Sequence, residues 1–321
     1  MRRSLVVLFA CAAMLVSVVV VRPADAGAPT PPPDANGYVL DYPLSADGSY
    51  VPISGQFRCA GGPGTTNSFV LWYAPGPSQD YLWTSTLSTY EDKQSVPVTV
   101  DGSYRPVAGD FDGNSCTDIL WYGPGSAPDF IWWGEHDETF TSVPMTVNGD
   151  YRPVVANFDD DGTFTEDVFW YAPGSAQEYF WAGAPDRSFT SSTAPSVQGD
   201  YRVTTVRLQS GDTTGVLFHR PGTGQDYIWT GMSPGASQPD DDIAVDINGS
   251  YQPLGVGGPF VLLYGAGGAP DFLITSTGDD GSLETVPGTI NGTYETGSSD
   301  LSSVIVWHAP GSAPDFLWQF D

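Results

Sequence analysis

The stretch YRPVAGDFDGNSCTDILWYGPGSAPDFIWW, residues 104–133, decides the fold because recognisable copies of it recur along the chain. It holds a Gly-punctuated hydrophobic run, an acidic loop, an aromatic run, a Pro/Gly turn and a second aromatic run. Counterparts of its WYGPG element recur at intervals of 44 to 49 residues; the six copies begin at Trp72, Trp121, Trp170, Phe218, Leu263 and Trp307. A Gly-Xaa-Tyr turn and an acid preceding an aromatic run also occur six times. Three landmarks therefore agree on six units, which indicates a repeat protein.

Each unit contains about four short runs rich in Val, Ile, Thr, Tyr, Phe and Trp, separated by Gly, Pro, Asn and Asp. Such runs favour strands, and no long segment has the 3.6-residue period of an amphipathic helix. Four strands in fewer than fifty residues, repeated in tandem, are typical of a β-propeller blade. We therefore predict an all-β fold over residues 37–321, a six-bladed β-propeller of four-stranded blades.

The two ends of the predicted propeller complement each other. The sixth unit stops at Asp321 without the fourth run that earlier units have, whereas GYVLDYPL, residues 37–44, is a spare run before the first turn. We predict that Tyr38 to Leu44 completes the last blade and closes the ring by strand pairing. This spare run favours six blades over seven.

The N-terminus has the parts of a secretory signal peptide. Arg2 and Arg3 precede an apolar run that extends from Leu5 to Val21, and Ala24-Asp25-Ala26 supplies an A-x-A cleavage site. We predict that residues 1–26 are removed on export and that residues 27–36, which are rich in proline, form a tether. The alternative is an uncleaved membrane anchor, because the apolar run is long for a signal. The prediction places the mature protein outside the cell.

The charge of the chain restricts its partners. The formal net charge is −27, so nucleic acid and anionic lipid are disfavoured by electrostatic repulsion. Later segments lack the roughly 20 consecutive apolar residues of a membrane span, and we expect a monomer that does not insert into membranes. An extracellular protein or a carbohydrate remains as partner. The alternative reading of the acidity is that it only keeps an exported, Trp-rich protein in solution.

The acidic loop of the second unit, GDFDGNSCTD, has oxygen-bearing groups at alternate positions. The predicted ligands are the side chains of Asp110, Asp112, Asn114 and Asp118 and the carbonyl of Cys116. Alternating oxygens on a tight, Gly-containing loop can surround one hard cation, and three carboxylates favour Ca²⁺ over the more demanding octahedron of Mg²⁺. The alternative is a solvated acidic turn.

GDFDGN followed by a hydrophobic strand, repeated at this spacing, resembles the FG-GAP or VCBS-type repeats of secreted bacterial proteins and of the integrin α-subunit propeller. The resemblance implies a β-propeller with loop-bound calcium that serves recognition or adhesion, or that accompanies a catalytic domain. The third unit departs from the pattern by two extra residues; its candidate ligands for a second ion are Asn157, Asp159, Asp161, Thr163 and Asp167. In the other four units the alternating acidic pattern is lost.

Cysteine usage fits export. Removal of the signal peptide leaves Cys59 and Cys116, which lie in equivalent loops of adjacent units. An even count in an oxidising compartment predicts a disulfide between them. Two free buried thiols are the alternative.

Ligand and catalytic residues are the least defined part of the sequence. Most tryptophans occupy repeated strand positions, where packing explains them as well as sugar binding does; the adjacent Trp132 and Trp133, near His136, are the candidates for ligand contact. The three histidines are too dispersed for a zinc site, and Gly231 to Gly235 matches G-x-S-x-G without the strand-to-helix context of a nucleophile elbow. We therefore predict a non-catalytic binding or adhesion protein. The alternative is a polysaccharide-active hydrolase or lyase with carboxylates near the propeller axis.

Overall fold

The computed structural model describes residues 39–57, 67–87, 90–159, 162–208, 214–256, 260–299 and 303–320. In these residues, 24 strands form six antiparallel four-stranded sheets arranged as the blades of a ring. The predicted six-bladed β-propeller is therefore confirmed. The predicted signal peptide and tether, residues 1–36, lie outside the described residues. No helix in the described part of the chain has the length and apolar character that crossing a membrane requires.

Each of the first five blades uses four consecutive strands, whereas the sixth combines three late strands with the first strand of the chain. Blade 1 contains β2 (Val51–Gln56), β3 (Ser68–Tyr73), β4 (Asp80–Ser85) and β5 (Gln94–Val98). Blade 2 contains β6 (Arg105–Gly109), β7 (Asp118–Tyr122), β8 (Asp129–Gly134) and β9 (Phe140–Met145). Blade 3 contains β10 (Arg152–Ala156), β11 (Asp167–Tyr171), β12 (Tyr179–Gly183) and β13 (Phe189–Thr193). Blade 4 contains β14 (Arg202–Arg207), β15 (Thr214–His219), β16 (Asp226–Thr230) and β17 (Asp241–Val245). Blade 5 contains β18 (Gln252–Gly255), β19 (Val261–Tyr264), β20 (Asp271–Thr277) and β21 (Leu283–Gly288). Blade 6 contains β22 (Glu295–Ser299), β23 (Val304–His308), β24 (Asp315–Phe320) and β1 (Val39–Leu44).

In each of the first five blades the strand that comes first in the chain is the innermost one, and in the sixth blade the innermost strand is β22. Strand β2 lies against β6 and β22, β10 lies against β6 and β14, and β18 lies against β14 and β22. These contacts run around the whole ring, so β2, β6, β10, β14, β18 and β22 surround the axis.

Strand β1 closes the ring. It pairs antiparallel with β24, with Val39 opposite Phe320 and Leu44 opposite Asp315. The predicted closure by the N-terminal strand is confirmed, while Tyr38 lies outside the described residues. Gly48 and Gly311 then exchange two backbone hydrogen bonds of 3.0 and 2.6 Å, the same pairing that joins Gly125 to Gly149 further along the ring.

Burial explains the composition of the strands. Every residue of β7 and β11 is buried, because the second strand of a blade is covered on both faces by neighbouring blades. A strand buried on both faces is read as a continuous apolar run rather than an alternating one. The outermost strands β5 and β9 are mostly exposed and carry Ser, Thr and Gln.

A buried tyrosine joins most blades to the next one. The hydroxyl of Tyr122 donates to the carbonyl of Gly149 at 2.7 Å and accepts the backbone N–H of Tyr151 at 2.9 Å. Tyr73, Tyr171 and Tyr264 repeat this geometry. In blades 4 and 6 a histidine takes this position; the pairs are His219 with Asp226 and His308 with Asp315. Each Nε2 accepts the N–H of the tyrosine after the junction, so Nδ1 holds the proton and donates it to the aspartate.

The acid that begins the third strand of each blade is a structural carboxylate. Asp129 accepts the N–H of Gly123 at 2.7 Å and that of Val147 at 2.6 Å, and so ties the turn before its strand to the junction after the blade. Asp80, Asp226, Asp271 and Asp315 do the same. Glu178 of blade 3 is the exception, because its buried carboxylate oxygens form no hydrogen bond of normal geometry; the backbone N–H groups of Glu178 and Val197 only weakly stabilise its charge. These repeated acids therefore serve the fold.

Candidate metal centre and ligand groove

Three predicted calcium ligands converge in the loop between β6 and β7. Asp110, Asp112 and Asp118 each offer a carboxylate oxygen, and the three oxygens lie within 4.8 Å of one another. The residues are buried, with exposed fractions of 4 %, 7 % and 0 %. Ca²⁺ takes about six to eight oxygen ligands, and these three carboxylates could provide part of such a set.

The backbone of the loop fixes these carboxylates. Asp118 accepts the N–H of Phe111 and the N–H of Gly134, both at 2.8 Å. Asp110 accepts the N–H of Asn114 at 3.0 Å and that of Ser115 at 2.8 Å. The loop turns back on itself through Gly113 and Ser115, whose φ angles are +70° and +68°. This fold brings the beginning and the end of the acidic stretch together.

Burial in this loop disfavours the ionised form of its carboxylates. Burial raises the pKa of Asp110 to about 6 and that of Asp118 to about 9, and the neighbouring charge of Asp112 adds to the effect on Asp118. Buried carboxylates this close repel one another when ionised. A divalent cation would remove both the repulsion and the desolvation penalty, so the residues present fit calcium.

The structure gives less direct support to the other two predicted calcium ligands, Asn114 and Cys116. Asn114 accepts the N–H of Cys116 at 2.5 Å through Oδ1, and its amide nitrogen donates to Asp112 and to the carbonyl of Gly134. Its side-chain oxygen therefore supports the loop, and the amide would have to rotate to offer that oxygen to an ion. Cys116 is fully buried at the start of the second strand.

A cation from the neighbouring blade contacts this loop. The guanidinium of Arg187, in the hairpin between β12 and β13, donates from Nε to Asp112 Oδ2 at 2.8 Å. It also forms a two-pronged pair with Glu135, with distances of 2.8 and 3.2 Å, and lies over the ring of Trp133 at 5.6 Å from its centroid. The guanidinium lowers the pKa of Glu135. Sequence reasoning missed Arg187, because nothing in a repeat pattern shows where a hairpin side chain of the next blade will point.

The loop of blade 3 is a partial copy. Asp167 takes the place of Asp118, accepting the N–H of Phe158 at 2.8 Å and that of Gly183 at 3.1 Å, and burial raises its pKa to about 6. Asn157 donates to the carbonyl of Thr163 at 3.3 Å. Asp159 is partly buried in the same loop, while Asp161 lies outside the described residues. Among the described residues, the convergence of three acids is found in blade 2 alone.

An open groove of about 430 Å³ lies between the outer strands of blades 1 and 2. Trp132 and Phe140 form its blade 2 side, with their rings stacked at 5.3 Å between centroids. The blade 1 side is apolar and the rim carries hydroxyl and carboxylate groups; the remaining lining residues are Leu82, Thr84, Val96, Val98, Thr99, Glu138 and Thr139. An apolar floor with a few polar groups is typical of ligand sites.

The structure separates the two adjacent tryptophans. Trp132 is partly exposed and lines the groove. Trp133 points to the opposite side of the strand, is 2 % exposed and packs against Phe189 of blade 3, so its ring belongs to the interface between blades. His136 is exposed in the hairpin after β8. Of the three candidates, Trp132 is the one that lines the groove.

Of the two cysteines in the predicted disulfide, only Cys116 is among the described residues. Cys59 lies outside the described residues. Phe57, two residues before it, forms a β-bridge with Cys116, and the N–H of Thr117 donates to the carbonyl of Gln56 at 2.9 Å. Phe57 therefore lies beside Cys116, and the pairing stays a prediction.

A cavity of about 200 Å³ lies at the innermost strands. Val, Pro and Thr residues dominate its lining, and Glu166 is the one acidic side chain among the described residues that line it. A glycosidase of the usual type needs two carboxyl groups roughly 5 to 9.5 Å apart. The described lining therefore provides one of the two groups that such chemistry needs.

Comparisons with known proteins assign no activity to the chain. No protein-family model and no curated protein matches it. One solved structure that it resembles is named "Glycoside hydrolase"; the two chains are 12 % identical, the match covers 81 % of this chain and 92 % of the other, and the TM-score is 0.32. A likeness at this identity and TM-score gives no ground for assigning a reaction.

Proposed function

We propose that this chain is a secreted, non-catalytic binding or adhesion propeller that recognises an extracellular glycan or protein, with a structural calcium ion in the loop of blade 2. The observation that carries the binding role is the open groove in which Trp132 stacks on Phe140 above an apolar floor. Aromatic rings pack against the apolar faces of sugars or side chains, while Thr99 and Glu138, which also accepts the amide of Asn67, offer hydrogen-bonding groups at the rim. A glycan is the ligand class that this mixture favours.

The binding role is tested with a glycan array. The full chain is compared with Trp132→Ala and with Trp181→Ala, a matched control at the same repeat position of blade 3 that does not line the groove. Binding that Trp132→Ala abolishes and Trp181→Ala retains would support the groove as the site. Binding that survives Trp132→Ala, or the absence of any bound glycan, would refute a glycan-binding groove. Release of shortened glycans from the array would overturn the non-catalytic role.

The calcium ion is tested separately by thermal melts with added CaCl₂ and with chelator. We expect calcium to raise the melting temperature of the full chain and to have no effect on Asp112→Ala, since a ligand that binds only the folded state stabilises it. Asp150→Ala, which removes an exposed carboxylate paired with Arg105, is the matched control and should keep the calcium response. An equal response in Asp112→Ala and the full chain would refute this location for the ion.

The described residues give a hydrolase or lyase function no support comparable to that which the groove gives to binding. The repeated buried acids bind backbone N–H groups, and the described lining of the axial cavity provides one carboxylate. We therefore do not advance a catalytic function.

A further inference from the structure

The position of Arg187 is unusual for an arginine. It ends a four-residue hairpin turn, where its N–H donates to the carbonyl of Ala184 at 2.9 Å, and its φ is +66°. The corresponding hairpin of blade 5 has Gly281 there, with φ of +81°, whereas those of blades 1 and 2 have Tyr90 and Glu138, with φ of +55° and +65°; all form the same type of hydrogen bond. Glycine adopts this left-handed conformation without steric cost, whereas an arginine does not. The turn thus tolerates residues other than glycine, and what distinguishes Arg187 is the set of side-chain contacts that it makes.

Those contacts all lie on blade 2. The guanidinium pairs with Asp112 and Glu135 and covers the ring of Trp133. Trp133 is itself an addition to the repeat, since the equivalent strand positions hold Thr84, Ala182 and Thr230. The loop with three converging acids is thus also the one that receives an arginine from the next blade.

Both oxygens of Asp112 are engaged in this arrangement. Oδ2 accepts Arg187 Nε at 2.8 Å and the amide nitrogen of Asn114 at 3.1 Å, and Oδ1 accepts the backbone N–H of Asn114 at 3.1 Å. A calcium ion that takes Asp112 as a ligand must compete with the guanidinium for this carboxylate. It must also approach a fixed positive charge, which like-charge repulsion opposes.

We propose that Arg187 is an internal cation of the blade 2 loop that opposes calcium binding, so that calcium and the Asp112–Arg187 ion pair displace each other. The inference rests on the calcium site proposed above. Glu135 provides the alternative partner, because its two oxygens already hold the guanidinium and can retain it when Asp112 turns to the ion. Arg187 thereby stabilises the calcium-free loop and keeps the affinity low. Extracellular calcium modules work in the range of about 10⁻⁴ to 10⁻³ M, so a structural ion outside the cell can be held with such a low affinity.

The test is a calcium titration of chelator-treated full chain by isothermal calorimetry, with melting temperatures recorded in parallel. Arg187→Gln removes the charge, and Arg187→Lys keeps the charge without the two-pronged geometry. Arg152→Gln is the matched control, because Arg152 also belongs to blade 3 but pairs with the exposed Asp200. We expect Arg187→Gln to bind calcium about tenfold more tightly than the unchanged chain, a typical size for coupling between sites. Arg187→Lys and Arg152→Gln should remain within about twofold of the unchanged chain, and the calcium-free form of Arg187→Gln should melt at a lower temperature.

The outcomes separate this inference from the calcium site itself. Equal affinity in the unchanged chain and Arg187→Gln would overturn the role of Arg187 and leave the ion in place. Weaker binding in Arg187→Gln would show that the arginine positions Asp112 for the ion, which also overturns the proposal. If no variant binds calcium, the metal site fails and the inference fails with it. Should Arg187→Gln not fold, a tenfold difference between Arg187→Lys and the unchanged chain would still refute a role based on charge.

Discussion

Glu178 provides a direct test of how the repeated carboxylates stabilise the blades. Its five counterparts are aspartates that each accept two backbone N–H groups. The additional methylene of Glu178 leaves both buried oxygens without a hydrogen bond of normal geometry, and burial raises its pKa from 4.5 to about 7, although the backbone N–H groups of Glu178 and Val197 oppose the shift. We expect Glu178→Asp to restore the two hydrogen bonds and to stabilise the protein.

The expected gain depends on pH. A carboxyl group whose folded pKa is raised binds more protons in the folded than in the unfolded state, so the stability contributed by Glu178 is fully present below pH 4.5 and is lost as the pH rises to about 7. A shift of this size corresponds to roughly 3 kcal/mol, and removing one buried methylene costs about 1 kcal/mol. We therefore expect Glu178→Asp to gain at most about 2 kcal/mol at pH 8, since burial also raises the pKa of the counterparts Asp80 and Asp271, and to lose about 1 kcal/mol at pH 4.5.

The measurement is the free energy of unfolding in urea at both pH values, supported by thermal melts. Asp129→Glu makes the reverse change in blade 2 and should lose a similar amount at pH 8. A gain in Glu178→Asp that is equal at pH 4.5 and pH 8 would show that ionisation of the carboxyl is not the cause. No gain at pH 8 would refute the claim that the unpartnered carboxylate is a cost.

Three further predictions concern the fold. Truncation before Gly48 should lower the melting temperature of the whole domain, since it removes the strand that closes the ring; melting at the temperature of the intact chain would contradict this. Tyr122→Phe should cost roughly 1 to 3 kcal/mol in urea unfolding, because it leaves the buried groups of a blade junction unpaired, whereas Tyr104→Phe, which loses a single exposed bond of 3.4 Å, should cost less than half of that. Peptide mapping under non-reducing conditions should recover Cys59 linked to Cys116, and recovery of both as free thiols after export would refute the pairing.

The fold was predictable from the sequence because the motifs that indicate it lie within a single repeat unit and recur in every unit. The WYGPG element, the acid after it and the Gly-Xaa-Tyr turn lie within one unit, so six copies could be aligned without knowledge of contacts. The closing strand was also predictable, because the run at residues 37–44 matches the strand that the last unit lacks. The convergence of Asp110, Asp112 and Asp118 follows from alternate positions on one short loop.

The surroundings of that loop were not predictable, because they come from another blade. Arg187 is 75 residues from Asp112 in the chain, and its contact depends on how blade 3 packs on blade 2. The groove beside Trp132 depends in the same way on blade 1. The alternation of side chains in a strand places Trp132 and Trp133 on opposite faces, but the identity of the buried one is fixed by the neighbouring blade.

The double hydrogen bond between Gly48 and Gly311 makes the sixth blade meet the first with the same pairing that joins the others. The innermost strands of neighbouring blades also contact one another around the whole ring, so the covalent peptide link is only one of several connections at each junction. A single protease cut in such a link would leave six complete four-stranded sheets. We expect the nicked protein to stay assembled as one particle in gel filtration and to separate into two fragments only in denaturant. The same property would allow circularly permuted chains to begin at another blade junction.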